Sequence, residues 1–226
     1  MAFIQCDFYS EILGTRTSLN AVIPSRDESG QEPPREMPEQ YPVLFLLHGL
    51  HSNYSAWSRY SSVERYANEK GLAVVMPDAG RSFYTNMRYG YRYFDFFSQE
   101  LPEVANRLFP LSRDRSQRFI AGLSMGGYGT WDAIQRRPDL FAAAVPICGG
   151  GDKTLGKEIA KLPIWAWHGD KDNVIKASRS RDMIEAIKAA GGSPKYSEIK
   201  NRGHNSWVDV WNSNELWDWL YSQKRK

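Results

Sequence analysis

Five short runs that are apolar at almost every position constrain this chain more than any other feature. They are VLFLLHG (43–49), LAVVMPD (72–78), RFIAG (118–122), AAAVPIC (142–148) and IWAWHG (164–169), each closing at or beside Gly, Pro, His or Asp. A strand with one wet face alternates apolar and polar residues, whereas a strand apolar throughout is buried on both faces, as in a parallel sheet. Helical patterns separate these runs. Ser61 and Glu64 form a capping box that predicts a helix to Lys70, and a stripe from Phe94 to Leu108 predicts another, with Pro102 marking a kink or a start near Leu101. Met183, Ile184 and Ile187 give a third helix its buried side, with Gly191 as its stop, and a last helix is expected from Asp209 to Tyr221. Residues 2–9 and 17–23 suit a leading pair of antiparallel strands, and the polar segment from Ser25 to Pro42 reads as a surface loop. The pattern implies an α/β fold, a mostly parallel central sheet with helices on both faces, in one domain over 1–226. Functional residues then belong in the loops at the carboxyl ends of the strands.

Composition removes whole classes of function. Twenty-nine Lys and Arg against 26 Asp and Glu leave a net charge of +3, too balanced to call for nucleic acid or an anionic membrane surface. Cys6 and Cys148 lie far apart, with no CxxC and no ligand-like His spacing, so they read as free, buried thiols rather than a disulfide or zinc site. No apolar run approaches the roughly 20 residues of a membrane span. The N-terminus lacks the basic start, apolar core and cleavage site of a secretory signal. A cytoplasmic location is therefore expected, or a secreted one where a leader has been removed.

The segment GLSMG (122–126) has the G-x-S-x-G pattern and lies between a predicted strand and a predicted helix, the setting of a nucleophile elbow. Such a turn strains the backbone at Ser124 and needs small residues two positions before and after it, which Gly122 and Gly126 supply. A serine hydroxyl is a weak nucleophile without a neighbouring base. Of four histidines, His204 is delivered to the elbow's edge of the sheet, in the loop after KYSEI (195–199). His168 reads as capping a strand or packing in the core, and His48 and His51 as architectural or oxyanion-loop residues. The base needs a carboxylate, and HGDKDNVI (168–175) offers two. Asp172 is chosen because Asp170, next to Gly169, is placed to brace the turn; Asp78 and Asp152 read as capping or surface residues. The backbone N–H groups of Met125, after the nucleophile, and Leu50, in HGL (48–50), are the candidate oxyanion donors. An activity limb is expected near the ordinary histidine value of about 6.5, falling in acid.

The stretches LLHGLHSNYSAW (46–57), YGYRYFDFFSQELP (89–102) and IAGLSMGGYGTW (120–131) resemble the esterase D and tributyrin esterase group of α/β-hydrolases, which includes feruloyl and acetyl xylan esterases. From CGGGD (148–152) onward the chain is more similar to small carboxylesterases and predicted peptidases. The resemblance implies an α/β-hydrolase fold and a serine carboxylesterase acting on short-chain, acetyl-sugar or hydroxycinnamoyl esters, with no metal or organic cofactor. It implies the same positions: Ser124, Asp172 and His204, with Leu50 and Met125 at the oxyanion hole. The short stretch from Gly149 to Pro163 leaves no room for a substantial lid. Aromatic residues in GRSFYTNMRYGYRYF (80–94), Tyr84 among them, and Trp207 beyond the base either stack on a sugar or phenolic acyl group or pack among themselves. An acyltransferase or peptidase using the same triad, and a non-catalytic binding protein on the same fold, are the rival readings.

Overall fold

A computed structural model describes residues 1–25 and 37–223. Most of the predicted loop from Ser25 to Pro42 lies outside the described residues. The strands are β1 (Ala2–Ser10), β2 (Thr15–Ile23), β3 (Val43–Leu47), β4 (Ala73–Pro77), β5 (Arg118–Leu123), β6 (Ala143–Ile147), β7 (Trp165–Gly169) and β8 (Lys195–Ile199). They form one sheet in the order β1-β2-β4-β3-β5-β6-β7-β8. The first two pair antiparallel and β2 meets β4 antiparallel; from β4 to β8 every neighbour is parallel. Each run apolar at every position is thus an inner strand, because helices cover both of its faces.

The pleat divides the core. Val43, Phe45 and Leu47 of β3 face one layer, while Leu44 and Leu46 face the other. Helices α1 (Ala56–Tyr60) and α2 (Val63–Lys70) cover the second layer. The first layer takes the segment formed by α3 (Tyr93–Asp95), a π-helical turn (Phe96–Glu100) and α4 (Leu101–Leu108), then α5 (Met125–Arg136) and α6 (Ser178–Ala189). The chain closes with α7 (Trp207–Trp211) and α8 (Asn214–Ser222), whose Trp211, Trp217 and Leu220 are buried against the second layer. Gly191, at φ 84°, ends α6 as expected, and the Gly192 N–H reaches back to the Ile187 carbonyl. Between β6 and β7 there is only a 3-10 segment, Lys153–Ile159, capped by Asp152.

Three local expectations are corrected. The capping box does not form: α2 starts after Ser62 with no side-chain cap, while the Ser61 hydroxyl donates to the Trp57 carbonyl and closes α1 instead. Pro102, by contrast, marks a helix start as expected: α4 begins at Leu101 directly after a π-helical turn, and Glu100 in that turn accepts the Glu11 N–H at 2.7 Å, tying the helix to the β1–β2 turn. The last helix is two helices, broken around Asn212 and Ser213, so that Trp211 and Trp217 pack against each other with ring centroids 5.3 Å apart. Of the two free thiols only Cys148 is buried; Cys6 lies half-buried in the edge strand β1.

Candidate active site

Strand β5 runs into α5 through a single residue, Ser124, held at φ 56° and ψ −113°. A non-glycine residue there is strained, and surrounding bonds impose it. The Ser124 N–H donates to the Ile147 carbonyl at 2.9 Å, and its own carbonyl accepts the Tyr128 N–H at 2.9 Å. The turn also needs close backbone approach. A Cβ on Gly122 would lie 2.4 Å from the Gly126 oxygen, and one on Gly126 would lie 2.5 Å from the Leu47 oxygen of β3.

The loops after β7 and β8 bring two more side chains to this point. The Asp170 N–H donates to Ile199 and the Lys171 N–H to Arg202, at 3.1 and 2.8 Å, so the two loops are joined through their backbones. Gly169 permits that approach, since a Cβ there would stand 2.3 Å from the Arg202 oxygen and 2.4 Å from that of Gly203. In consequence His204 Nδ1 lies 2.7 Å from Asp172 Oδ2 and His204 Nε2 lies 2.8 Å from Ser124 Oγ. Gly169→Ala is expected to destabilise the fold by about 1–3 kcal/mol and to lower turnover by about 100-fold, the cost of a misplacement near 1 Å. Thermal melts with kcat measurements check this; unchanged kcat would show that the loops absorb the added carbon. Asp170 does not brace the turn as expected. Its Oδ1 is buried without a partner among the described residues, and the Asp172 N–H bonded to the Gly169 carbonyl at 3.2 Å closes the turn instead.

An ionised carboxylate only accepts, so the bond to Asp172 places the His204 proton on Nδ1 and leaves Nε2 free to take the Ser124 proton. The Asp172 side chain is fully buried. Burial alone raises a carboxyl, but the His204 bond and the Ile175 and Val174 N–H groups, both 2.9 Å from Oδ1, outweigh it and hold Asp172 below the usual range. A depressed folded-state value adds stability that is fully present above the unfolded value of about 3.9 and is lost as pH falls through the folded value. Wild-type Tm is therefore expected to fall more steeply below about pH 4 than that of Asp172→Asn. Parallel curves in melts between pH 3 and 5 would count against this.

The HGL loop lies beside the nucleophile: a Cβ on Gly49 would be 3.8 Å from Ser124 Cβ. Buried His48 anchors it. Its Nε2 accepts the Ala79 N–H at 3.0 Å, so Nδ1 carries the proton and donates to the Gly49 carbonyl at 2.8 Å. Because a trans peptide points its C=O and N–H in opposite directions, this bond turns the Leu50 N–H away from His48. Among the described residues no bond occupies the Leu50 or Met125 N–H, and Met125 opens α5, where the helix dipole favours negative charge.

Tyr84 is not a surface for substrate. It is 1% exposed, donates its hydroxyl to the His48 carbonyl at 3.2 Å, and fills the space over Gly129, where a Cβ would lie 2.6 Å from its ring. In the aromatic stretch around it Phe83 meets Tyr128 and Tyr93 meets Phe96, while Tyr89 and Tyr91 are exposed, and none of 80–94 lines the cavity at Ser124. Trp207 does line it. That cavity, about 390 Å³, opens over Ser124 and His204 between Leu50, Trp57, Tyr60, Leu123, Val174 and Trp207. Trp207 meets Trp57 edge-on at 5.9 Å and Tyr60 at 6.5 Å, so three rings form one wall. Trp57 and Tyr60 were not anticipated. The signal lay in NYSAWSRY, where Ala56, Trp57 and Tyr60 have the spacing of one helical face.

Comparison with known proteins gives this arrangement its relatives. The family model described as "Putative esterase" matches residues 16–220. An acetyl esterase of Caldicellulosiruptor saccharolyticus is 34% identical over 131 residues, covering 57% of this chain and 49% of that protein, so the chain spans about half that relative's length. Among solved structures, the fluorophosphonate-binding serine hydrolase F of Staphylococcus aureus superposes with a TM-score of 0.82 at 26% identity, covering 100% of this chain and 99% of that one. S-formylglutathione hydrolase of the same organism gives 0.81 at 27% identity, covering 97% and 98%.

Proposed function

The chain belongs to this esterase family of α/β-hydrolases, and from that premise we propose that it is a serine carboxylesterase working through an acyl-enzyme. The observation that carries the reading is the unbroken chain Ser124 Oγ, His204, Asp172, with contacts of 2.8 and 2.7 Å, at the floor of an apolar cavity. His204 Nε2 takes the Ser124 proton as Oγ attacks the ester carbonyl. The oxyanion is received by the N–H groups of Leu50 and Met125, the alcohol leaves with the proton from His204, and water repeats the sequence on the acyl group. Asp172 holds the imidazole in the required tautomer.

The aromatic and aliphatic wall of Trp57, Tyr60, Val174 and Trp207 suits an apolar or flat acyl group, within the range of short-chain acyl and hydroxycinnamoyl esters, and an acetyl group also fits. A fluorophosphonate probe followed by peptide mapping tests the nucleophile. An adduct on Ser124 is expected in folded protein; no adduct would favour a non-catalytic binding protein. A panel of p-nitrophenyl acetate, butyrate and octanoate, methyl ferulate and acetylated xylan ranks the acyl groups, and absence of hydrolysis across it would overturn the carboxylesterase reading.

A further inference from the structure

Behind Asp172, away from Ser124, stands a second imidazole that the mechanism above does not use. His168, in β7, is 0% exposed. Its Nε2 donates to the Ile175 carbonyl at 2.9 Å and lies 3.2 Å from Asp172 Oδ2, the oxygen that also receives His204 Nδ1. A carbonyl only accepts, so Nε2 carries the ring proton. Nδ1 faces the Ser180 hydroxyl of α6 at 2.8 Å, and that hydroxyl is also 3.0 Å from the Gly149 carbonyl. Burial, the largest influence on the ring, lowers its proton affinity against the opposing pull of the Ile175 carbonyl and Asp172. Burial accordingly favours the neutral ring, with Nδ1 and the Gly149 carbonyl sharing the single Ser180 hydroxyl proton.

We propose that His168 is the positioning residue of the catalytic carboxylate, fixing Asp172 between two imidazoles. Two routes lead from the ring to the acid. The polar Nε2–H edge faces Oδ2 directly. The same N–H also fixes Ile175, whose own N–H holds Oδ1 at 2.9 Å beside that of Val174. With His204 these groups surround both oxygens of the carboxylate and leave it one orientation, the one that reaches Nδ1 of the base. An apolar residue would fill this core site as well, and a buried polar ring is costly unless it is satisfied. Cys148 also stands beside the acid: its Sγ lies 2.9 Å from Ser206 Oγ and within reach of Asp172, and burial first, with Asp172 adding to it, pushes the thiol up to about 12, so it remains a neutral S–H. The proposal rests on the Ser124–His204–Asp172 reading.

The test is a double-mutant cycle. His168→Phe keeps a flat ring and removes both polar atoms. It is expected to lower kcat, and the rate of fluorophosphonate labelling, by about tenfold, the usual scale for a lost bond to a charged group, with KM changed less than about twofold. His168→Gln, which keeps an N–H donor, should recover most of that loss. In an Asp172→Asn background His168→Phe should cost almost nothing further, because the group it positions is gone. Unchanged kcat in His168→Phe, or the same fold-loss in both backgrounds, would overturn the proposal. Should His168→Phe fail to fold, Ser180→Ala, which frees Nδ1, is read in the same cycle with the same deciding outcomes. The low-field proton resonance of His204 Nδ1–H gives a readout independent of turnover: it should broaden or vanish in His168→Phe, and its persistence unchanged would also overturn the assignment. If the wild type neither hydrolyses esters nor labels, the esterase reading fails, and this resonance alone decides the role of His168.

Discussion

Ser124→Ala is expected to lower kcat by about 10⁶-fold, the loss seen when a serine nucleophile is removed from a working triad. The elbow should survive the change. Its shape is set by the Ile147–Ser124 and Ser124–Tyr128 backbone bonds and by close packing at Gly122 and Gly126, none of which involves Oγ. Circular dichroism and Tm should therefore match wild type while turnover of p-nitrophenyl acetate and fluorophosphonate labelling both disappear. Residual turnover above about 1% of wild type would exceed what the oxyanion donors alone supply. It would point to another hydroxyl at the cavity, Ser52 or Tyr60.

Asp172→Asn is expected to lower kcat by about 10⁴-fold, whereas Asp170→Asn should stay within about threefold. Asparagine offers an N–H where the carboxylate accepted, so His204 shifts its proton to Nε2 and no longer accepts from Ser124. Asp170 has no such partner: its N–H serves the link to Ile199, and its Oδ1 meets no donor among the described residues. Kinetics of the two variants, with folding checked by thermal melts, separate the roles. A large loss at position 170 with little at 172 would move the acid to Asp170.

Much of the frame was legible in the sequence because it depends on local periodicity. Runs apolar at every position become the inner strands from β3 to β7, and GLSMG marks the turn where β5 meets α5 because only small residues tolerate the backbone contacts there. The order Ser, Asp, His follows from reading each candidate at a strand end. Elsewhere the local signal misled. Tyr84, read as part of an aromatic loop, turns inward because Gly129 leaves a space for its ring and the His48 carbonyl accepts its hydroxyl. Neither partner is near it in sequence. The capping box failed because Ser61 found a nearer acceptor in Trp57, and the last helix broke where its tryptophans had to pack on one another.

By itself the sequence determined the layered α/β architecture and the residues able to serve as nucleophile, base and acid, since hydrophobic period, turn chemistry and side-chain type are properties of short segments. The distances that join His204 to Ser124 and Asp172, the inward turn of Tyr84 and what lines the cavity were decided only by tertiary structure. Those outcomes depend on contacts across long loops, such as Gly169 lying against Arg202 and Gly203, and Trp207 closing on Trp57. Such distances are set by packing the whole sheet and its helices at once, and no window along the chain contains them.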